Sequence, residues 1–341
     1  IRFAGLFEFT LRALILSIPV NGKAIWFGKG DKPMSKTVIQ VDGLWKIFRD
    51  FWLRPRVHAL KGIDLQVNEG EVFGFLGPNG SGKSTTIQIL LGLQFPTRGK
   101  VSVLGSDPGS VECKKRIGYL PEDSVFYPFL TGREMLSLCA RLSHVPKNDR
   151  DVRVEALLDM VGLTAAADRE IGDYSKGMQR RIGVAQALVH DPDLVILDEP
   201  TNGLDPIGVR QVKDWIRGLK KRGKTILITS HLLADVEEVC DRVSILYGGK
   251  VQSEGAVKEI LGHQGRSEWI TQSPGENQRK QLDRAFADQG VEVYSVDTSR
   301  RTLEDKFLET VQSAREDGQE TEGAEYGGQL PAFLSGPEES S

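Results

Sequence analysis

Residues 71–93 read EVFGFLGPNGSGKSTTIQILLGL. An apolar strand-like run enters a loop with three glycines in six residues, and an apolar helical pattern leaves it. The core of the stretch, GPNGSGKS from Gly77 to Ser84, fits the pattern G-x-x-x-x-G-K-[ST]. Glycines there let backbone amides turn inward and approach phosphate oxygens where a β-carbon would clash. Lys83 supplies a point charge for β and γ phosphates, and Ser84 offers a hydroxyl to Mg²⁺. The helix that follows directs its positive end at the same place. Gly77, Pro78, Asn79, Gly80, Ser81, Gly82, Lys83, Ser84 and Thr85 are therefore expected to cradle a nucleotide such as ATP. The fold expected around them is α/β, a P-loop NTPase core with a mostly parallel sheet, joined by an antiparallel β subdomain.

Two later runs, LVILDEP (194–200) and TILITSH (225–231), contain four and three consecutive apolar residues without alternation. That pattern suits parallel strands covered on both faces. Asp198 and Glu199 stand where the first run ends, at the carboxyl edge where parallel sheets place ligand chemistry. Asp198 suits holding Mg²⁺ directly or through water, while Glu199, one residue on, points elsewhere and suits orienting an attacking water. His231 follows the second run immediately, so a neighbouring strand would deliver it near a γ-phosphate.

The octet YSKGMQRR (174–181) has a bland reading as a basic helix start with two arginines turned to water. Its own chemistry says more. Ser175 can cap a helix whose apolar stripe is Met178, Ile182, Ala185 and Val189. The octet then presents a hydroxyl, the Gly177 amide and a positive helix end, which is a γ-phosphate site without a phosphate loop of its own.

Around these motifs the chain is organised simply. TVIQV, GIDLQV and EVFGFL are strand-like runs between turn residues, and MSKTVIQVDGLWKIF opens the folded part at Met34. From about 123 to 190 the pattern is helical, as in EMLSLCARL and VEALLDMVGL, which reads as a helical subdomain inserted into the α/β core. Residues 34–262 form this cassette, and no internal repeat follows it. Residues 263–313 (EWITQ, the polar helix NQRKQLDRAFADQ, the strand VEVYSVDT, a helix LEDKFLETV begun by a Thr302–Asp305 capping box) read as a small α/β appendage. The tail 314–341 has seven acids against one arginine, with repeated Gly and Ser, and is expected to be disordered. Residues 1–33 read as a disordered or non-native extension; their apolar run FTLRALILSIPV is interrupted by Arg12 and is short of the ~20 residues of a spanning helix. A net charge of −3 gives no footprint for nucleic acid, and Cys113, Cys139 and Cys240 lack metal or redox spacing.

In order and spacing, the phosphate loop, the octet, LVILDEP, TNGLD (201–205) and the histidine after ITS resemble an ABC transporter ATPase subunit from about Thr37 to Leu261. The resemblance implies a head-to-tail dimer with two ATPs between protomers, each octet completing the partner's site. It implies that Ser175 and Gly177 contact the γ-phosphate, that Asp205 crosses the interface and that His231 is the switch histidine. Lys83, Glu199 and His231 are the implied catalytic group, and Ser84, Asp198 and Glu122 the implied Mg²⁺ ligands. Phe48 best matches the aromatic that stacks on adenine, with Phe51 and Trp52 as neighbours able to substitute.

Three residues depart from the family signature: Lys176 replaces a glycine, Met178 a glutamine, and Glu122 the glutamine that links Mg²⁺ to the membrane contact. YSKGM and LEDKFLE are similar to exporter-type members that pair with separate membrane subunits. The implied protein is peripheral on the cytoplasmic face of the cell membrane, coupled to a multi-spanning permease. A soluble ABC-type ATPase of translation or DNA repair is the alternative, against which stand the single cassette and the lack of a heptad run. An unrelated P-loop kinase would leave the octet unexplained.

Overall fold

The computed structural model describes residues 36–52, 54–261, 275–290 and 328–334. The N-terminal extension, EWITQ, VEVYSVDT and LEDKFLETV lie outside them. Strand β1 (Thr37–Arg49) turns back into β2 (Pro55–Asn68), and β3 (Val72–Leu76) runs through the glycine loop into α1 (Lys83–Leu90), followed by β4 (Arg98–Val103). The short α2 (Val111–Lys114) and β5 (Ile117–Leu120) precede α3 (Gly132–Leu142), α4 (Lys147–Met160) and α5 (Lys176–Leu188). Then β6 (Leu194–Asp198), α6 (Pro206–Lys221), β7 (Thr225–Ser230) and α7 (Leu233–Val239) alternate. A hairpin of β8 (Arg242–Tyr247) and β9 (Lys250–Ala256) follows, then α8 (Val257–Leu261) and α9 (Glu276–Asp288), the latter over the polar run predicted to be helical.

The strands form two sheets, an antiparallel β2-β1-β4 and a six-stranded β5-β6-β7-β3-β8-β9. In the larger sheet β5, β6, β7, β3 and β8 are parallel neighbours, and only β9 is antiparallel. Its central strands are buried on both faces, as their unalternated apolar runs predict. Val72, Val195, Leu197, Ile226 and Ile228 point into a core shared with α3, α4, α5 and α6. Phe73, Phe75, Leu194, Ile196 and Leu227 point into a second core under the antiparallel sheet and α1. That alternation fixes the register, because a one-residue slip would exchange the two cores. The stretch between β5 and β6 is helical, and α3 opens on a capping box in which Thr131 and Glu134 exchange hydrogen bonds with each other's backbone.

The acidic tail departs from its sequence reading over 328–334. Leu334 is fully buried and Arg222 donates to the carbonyls of Leu330 and Pro331. The composition of the whole tail hides this segment, since QLPAFL contains no charge. Among the described residues no helix is long and apolar enough to cross a membrane.

Candidate functional site

Parallel pairing puts the carboxyl ends of β3, β7, β6 and β5 side by side, and each delivers one of the predicted groups. β3 leads to the glycine loop, β7 to His231, β6 to Asp198 and Glu199, and β5 to Glu122. Gly82 adopts φ +113°, a left-handed conformation closed to most side chains, and a β-carbon on it would lie 2.6 Å from Leu60 Cδ2. The loop thus packs against β2 so closely that only glycine fits at this position. Lys83 curls back over it, Nζ donating to the Gly77 carbonyl at 2.6 Å. Ser81 Oγ is buried with no hydrogen-bond partner among the described residues. A buried hydroxyl and a glycine-lined cradle at a lysine ammonium are the donors a polyphosphate requires. Ser84, at the mouth, is exposed.

Lys83, Glu199 and His231 meet. The Glu199 carboxylate lies 3.9 Å from Lys83 Nζ and 2.8 Å from His231 Nδ1, and it accepts a further bond from the His231 amide. Glu199 is 3% exposed and its backbone sits at φ +50°, a conformation that costs a non-glycine residue of order 1 kcal/mol or more. This turn separates its side chain from that of Asp198. Its amide donates to both the carbonyl and the hydroxyl oxygen of Thr229, so neighbouring β7 enforces the turn. Burial pushes the Asp198 carboxyl up from its ordinary value; the Thr229 hydroxyl, donating to it, works in the opposite sense, and the Glu199 charge adds to the rise. A cation beside Asp198 would reverse that balance. Among the described residues no three His, Cys, Asp or Glu side chains cluster as a preformed metal site. Mg²⁺ there would rely on Ser84, Asp198, Glu122 and the phosphates themselves.

The octet is a helix start, with Ser175 Oγ accepting from the Met178 amide at 3.2 Å. Its stripe of Met178, Ile182, Ala185 and Val189 is buried. A β-carbon on Gly177 would meet Leu204 Cδ2 no closer than 3.7 Å, so nothing among the described residues requires glycine there. Asp205, in the adjoining loop, caps α6 by accepting from the Gly208 amide. Its residue is exposed. Phe48 is 37% exposed with the Lys46 ammonium 5.1 Å from its ring centroid. Phe51 and Trp52 stand edge to face in the following turn, more exposed still. Glu122 is exposed at the end of β5.

The bland reading of the octet fails at its arginines, which are both buried. Arg180 donates to five carbonyls: Pro121 and Glu122 from Nη1, Asp198 and Glu199 from Nη2, and Pro200 from Nε. It ties the octet's helix to the two loops that carry Glu122 and Glu199. Burial pushes its guanidinium down to about 10, opposed first by the Asp198 charge. A sequence signal existed. The rest of α5, IGVAQAL, offers one polar residue, so the helix is buried all round and a charge on it must find partners inside.

The sequence pattern of the ABC transporter family matches residues 60–202. A relative described as an uncharacterized ABC transporter ATP-binding protein, from Synechocystis, is 42% identical over 263 residues, covering 76% of this chain and 73% of its own. The bacitracin transport ATP-binding protein of Bacillus licheniformis is 33% identical over 281 residues, covering 73% of this chain and 91% of its own. Among solved structures, a dimeric ATP-binding cassette in a post-hydrolysis state with ADP and Pi superposes with a TM-score of 0.60 at 26% identity. It covers 64% of this chain and 99% of that one.

Proposed function

The chain belongs to the ABC transporter family, as one of its ATP-binding proteins, and from that premise we propose that it hydrolyses ATP to drive export through a separate membrane permease. The observation that carries the proposal is the meeting of Lys83, Glu199 and His231 at one sheet edge beside a glycine cradle. Gly77–Thr85 hold the phosphates, and Ser84, Asp198 and Glu122 serve Mg²⁺, which when bound neutralises charge developing on the phosphoryl oxygens. Glu199 orients the attacking water, and His231, hydrogen-bonded to Glu199, fixes that carboxylate's direction. Phe48, with Phe51 and Trp52 beside it, stacks on adenine.

The cassette works as a head-to-tail pair, Ser175 and Gly177 of one protomer closing on the nucleotide of the other and Asp205 crossing between them. Supporting this is Gly177 itself: a bare helix start with no internal need for glycine suits close approach by something external. Gly177→Ala is therefore expected to leave the melting temperature unchanged while lowering ATP turnover about 100-fold, the cost of a small misplacement at a reacting centre. Equal loss of stability and turnover in parallel melting and phosphate-release assays would contradict that role. Mixing Ser175→Arg protein with wild type is expected to suppress the activity of the wild-type protomers. Unchanged activity per wild-type protomer at saturating mutant would sink the shared-site arrangement.

Binding energy realised only in the closed pair supplies the conformational work. The stretch between Glu122 and Thr131 passes it to the permease at the cytoplasmic face of the membrane. Val125, Tyr127 and Phe129 stand exposed there, with the two rings 5.7 Å apart, which favours docking to another protein. The rival reading, a soluble ATPase of translation or DNA repair, leaves this surface without a membrane partner. The boundaries 34–262 for the cassette and 263–313 for a C-terminal appendage complete the proposal. Pull-down of tagged Glu199→Gln protein from membranes with ATP is expected to recover a multi-spanning protein. Recovery of ribosomes or repair factors, with no membrane protein, would replace this reading by the rival.

A further inference from the structure

Residues 328–334, GQLPAFL, make contacts of several kinds with the cassette, each specific to the residue that makes it. Arg222, at the C-terminal end of α6, donates from Nη1 to the Pro331 carbonyl at 2.5 Å and from Nη2 to the Leu330 carbonyl at 2.8 Å. A guanidinium fork on two successive carbonyls pairs backbone that lies outside helix and sheet, and Pro331 has no N–H to leave unpaired when buried. The Gly328 amide donates at 2.7 Å to the carbonyl of Asp159, in the last turn of α4. The Phe333 ring lies under the Arg153 guanidinium, 4.6 Å to the centroid, and the same Arg153 donates to the Val189 carbonyl at the end of α5. Leu334 is fully buried and belongs to the core shared by α4, α5 and α6.

Gly218 gives the clearest sign that the fit is built in. It lies inside α6, where glycine costs roughly 0.5–1 kcal/mol relative to alanine. A β-carbon on it would overlap Leu330 Cδ1. The helix thus carries an unfavourable residue at the one point where the tail leucine enters it.

We infer that the groove between the C-terminal ends of α4 and α6 is a peptide-docking site for a Leu-Pro-x-Phe-Leu segment that closes in a 3₁₀ turn over Ala332–Leu334, and that residues 328–334 are its own occupant. Docked, the segment ties the helical insert, through α4 and α5, to α6 of the nucleotide-binding core. Neither the phosphate loop nor the octet takes part, so the inference stands apart from the proposed transport role.

The test uses the full chain and a fluorescein-labelled peptide of residues 326–336. In wild type the groove is filled by the tethered tail, whose effective concentration is on the order of millimolar. The variant Leu330→Ser/Leu334→Ser, which vacates it, is expected to bind the peptide by fluorescence anisotropy at least about tenfold more tightly than wild type does. Adding Gly218→Leu to that variant fills the notch and is expected to abolish binding. Should this change disturb the fold by circular dichroism, Arg222→Gln, which removes the fork at the helix end, serves instead and is expected to weaken binding about tenfold. Equal binding to wild type and tail variant, or none to the tail variant, would overturn the inference. The readout is independent of ATP turnover, so its outcome and that of the transport reading are separable.

Discussion

Glu199→Gln is expected to slow ATP hydrolysis by roughly a thousandfold while ATP binding keeps its strength. Glutamine preserves the shape of the side chain and its acceptor oxygen, so the contact with His231 and the unusual backbone turn, enforced from Thr229, are retained. What disappears is the negative charge, and with it the ability to draw a proton from, or align, an attacking water. That demand arises in the transition state and not in the bound ground state, so turnover falls and affinity does not. Affinity has a second safeguard. The carboxylate is 3.9 Å from Lys83 Nζ, and neutralising it leaves the ammonium to the phosphates and the Gly77 carbonyl. Single-turnover phosphate release and titration with a fluorescent ATP analogue separate the two quantities. Lost binding with the fold preserved would remove Glu199 from the role of water-orienting base.

Arg180→Met is expected to lower the melting temperature by about 10 °C, from a loss of roughly 3–5 kcal/mol. Methionine fills much of the volume but donates nothing, and five carbonyls lose their partner, those of Asp198, Glu199 and Pro200 on buried residues. Two of those carbonyls belong to Asp198 and Glu199, so the active-site turn is released together with the fold. Arg180→Lys is expected to recover less than half of the loss, because a single ammonium cannot reproduce a planar fan of donors. Calorimetry of both variants tests the assignment, and a shift below about 2 °C for methionine would show that other contacts hold the turn.

These two residues also mark where reading the sequence succeeds and where it stops. Glu199, Asp198, Lys83 and His231 were legible because each follows an apolar strand or a glycine loop within a few positions, and parallel topology then brings strand ends together without further information. The long ladder of β1 with β2 was legible only in part. It extends through LWKIFR to Arg49 and from Pro55, with several register shifts that no alternation announces. Arg180 was hidden because its partners lie 18–59 residues away in two loops, and a basic residue at a helix start has an ordinary solvated alternative. The tail segment was hidden by averaging: seven acids spread over 28 residues mask a stretch with none.

Gly218 has a practical consequence for anyone handling this protein. Replacing glycines inside helices by alanine is a routine way to raise the heat resistance of a domain before crystallisation. By sequence Gly218 is an obvious choice, being the sole glycine of α6 after its first turn. Here the routine gain in helix propensity would be set against a displaced leucine and an emptied groove. A thermostabilisation campaign should pass over position 218 and spend its substitutions elsewhere.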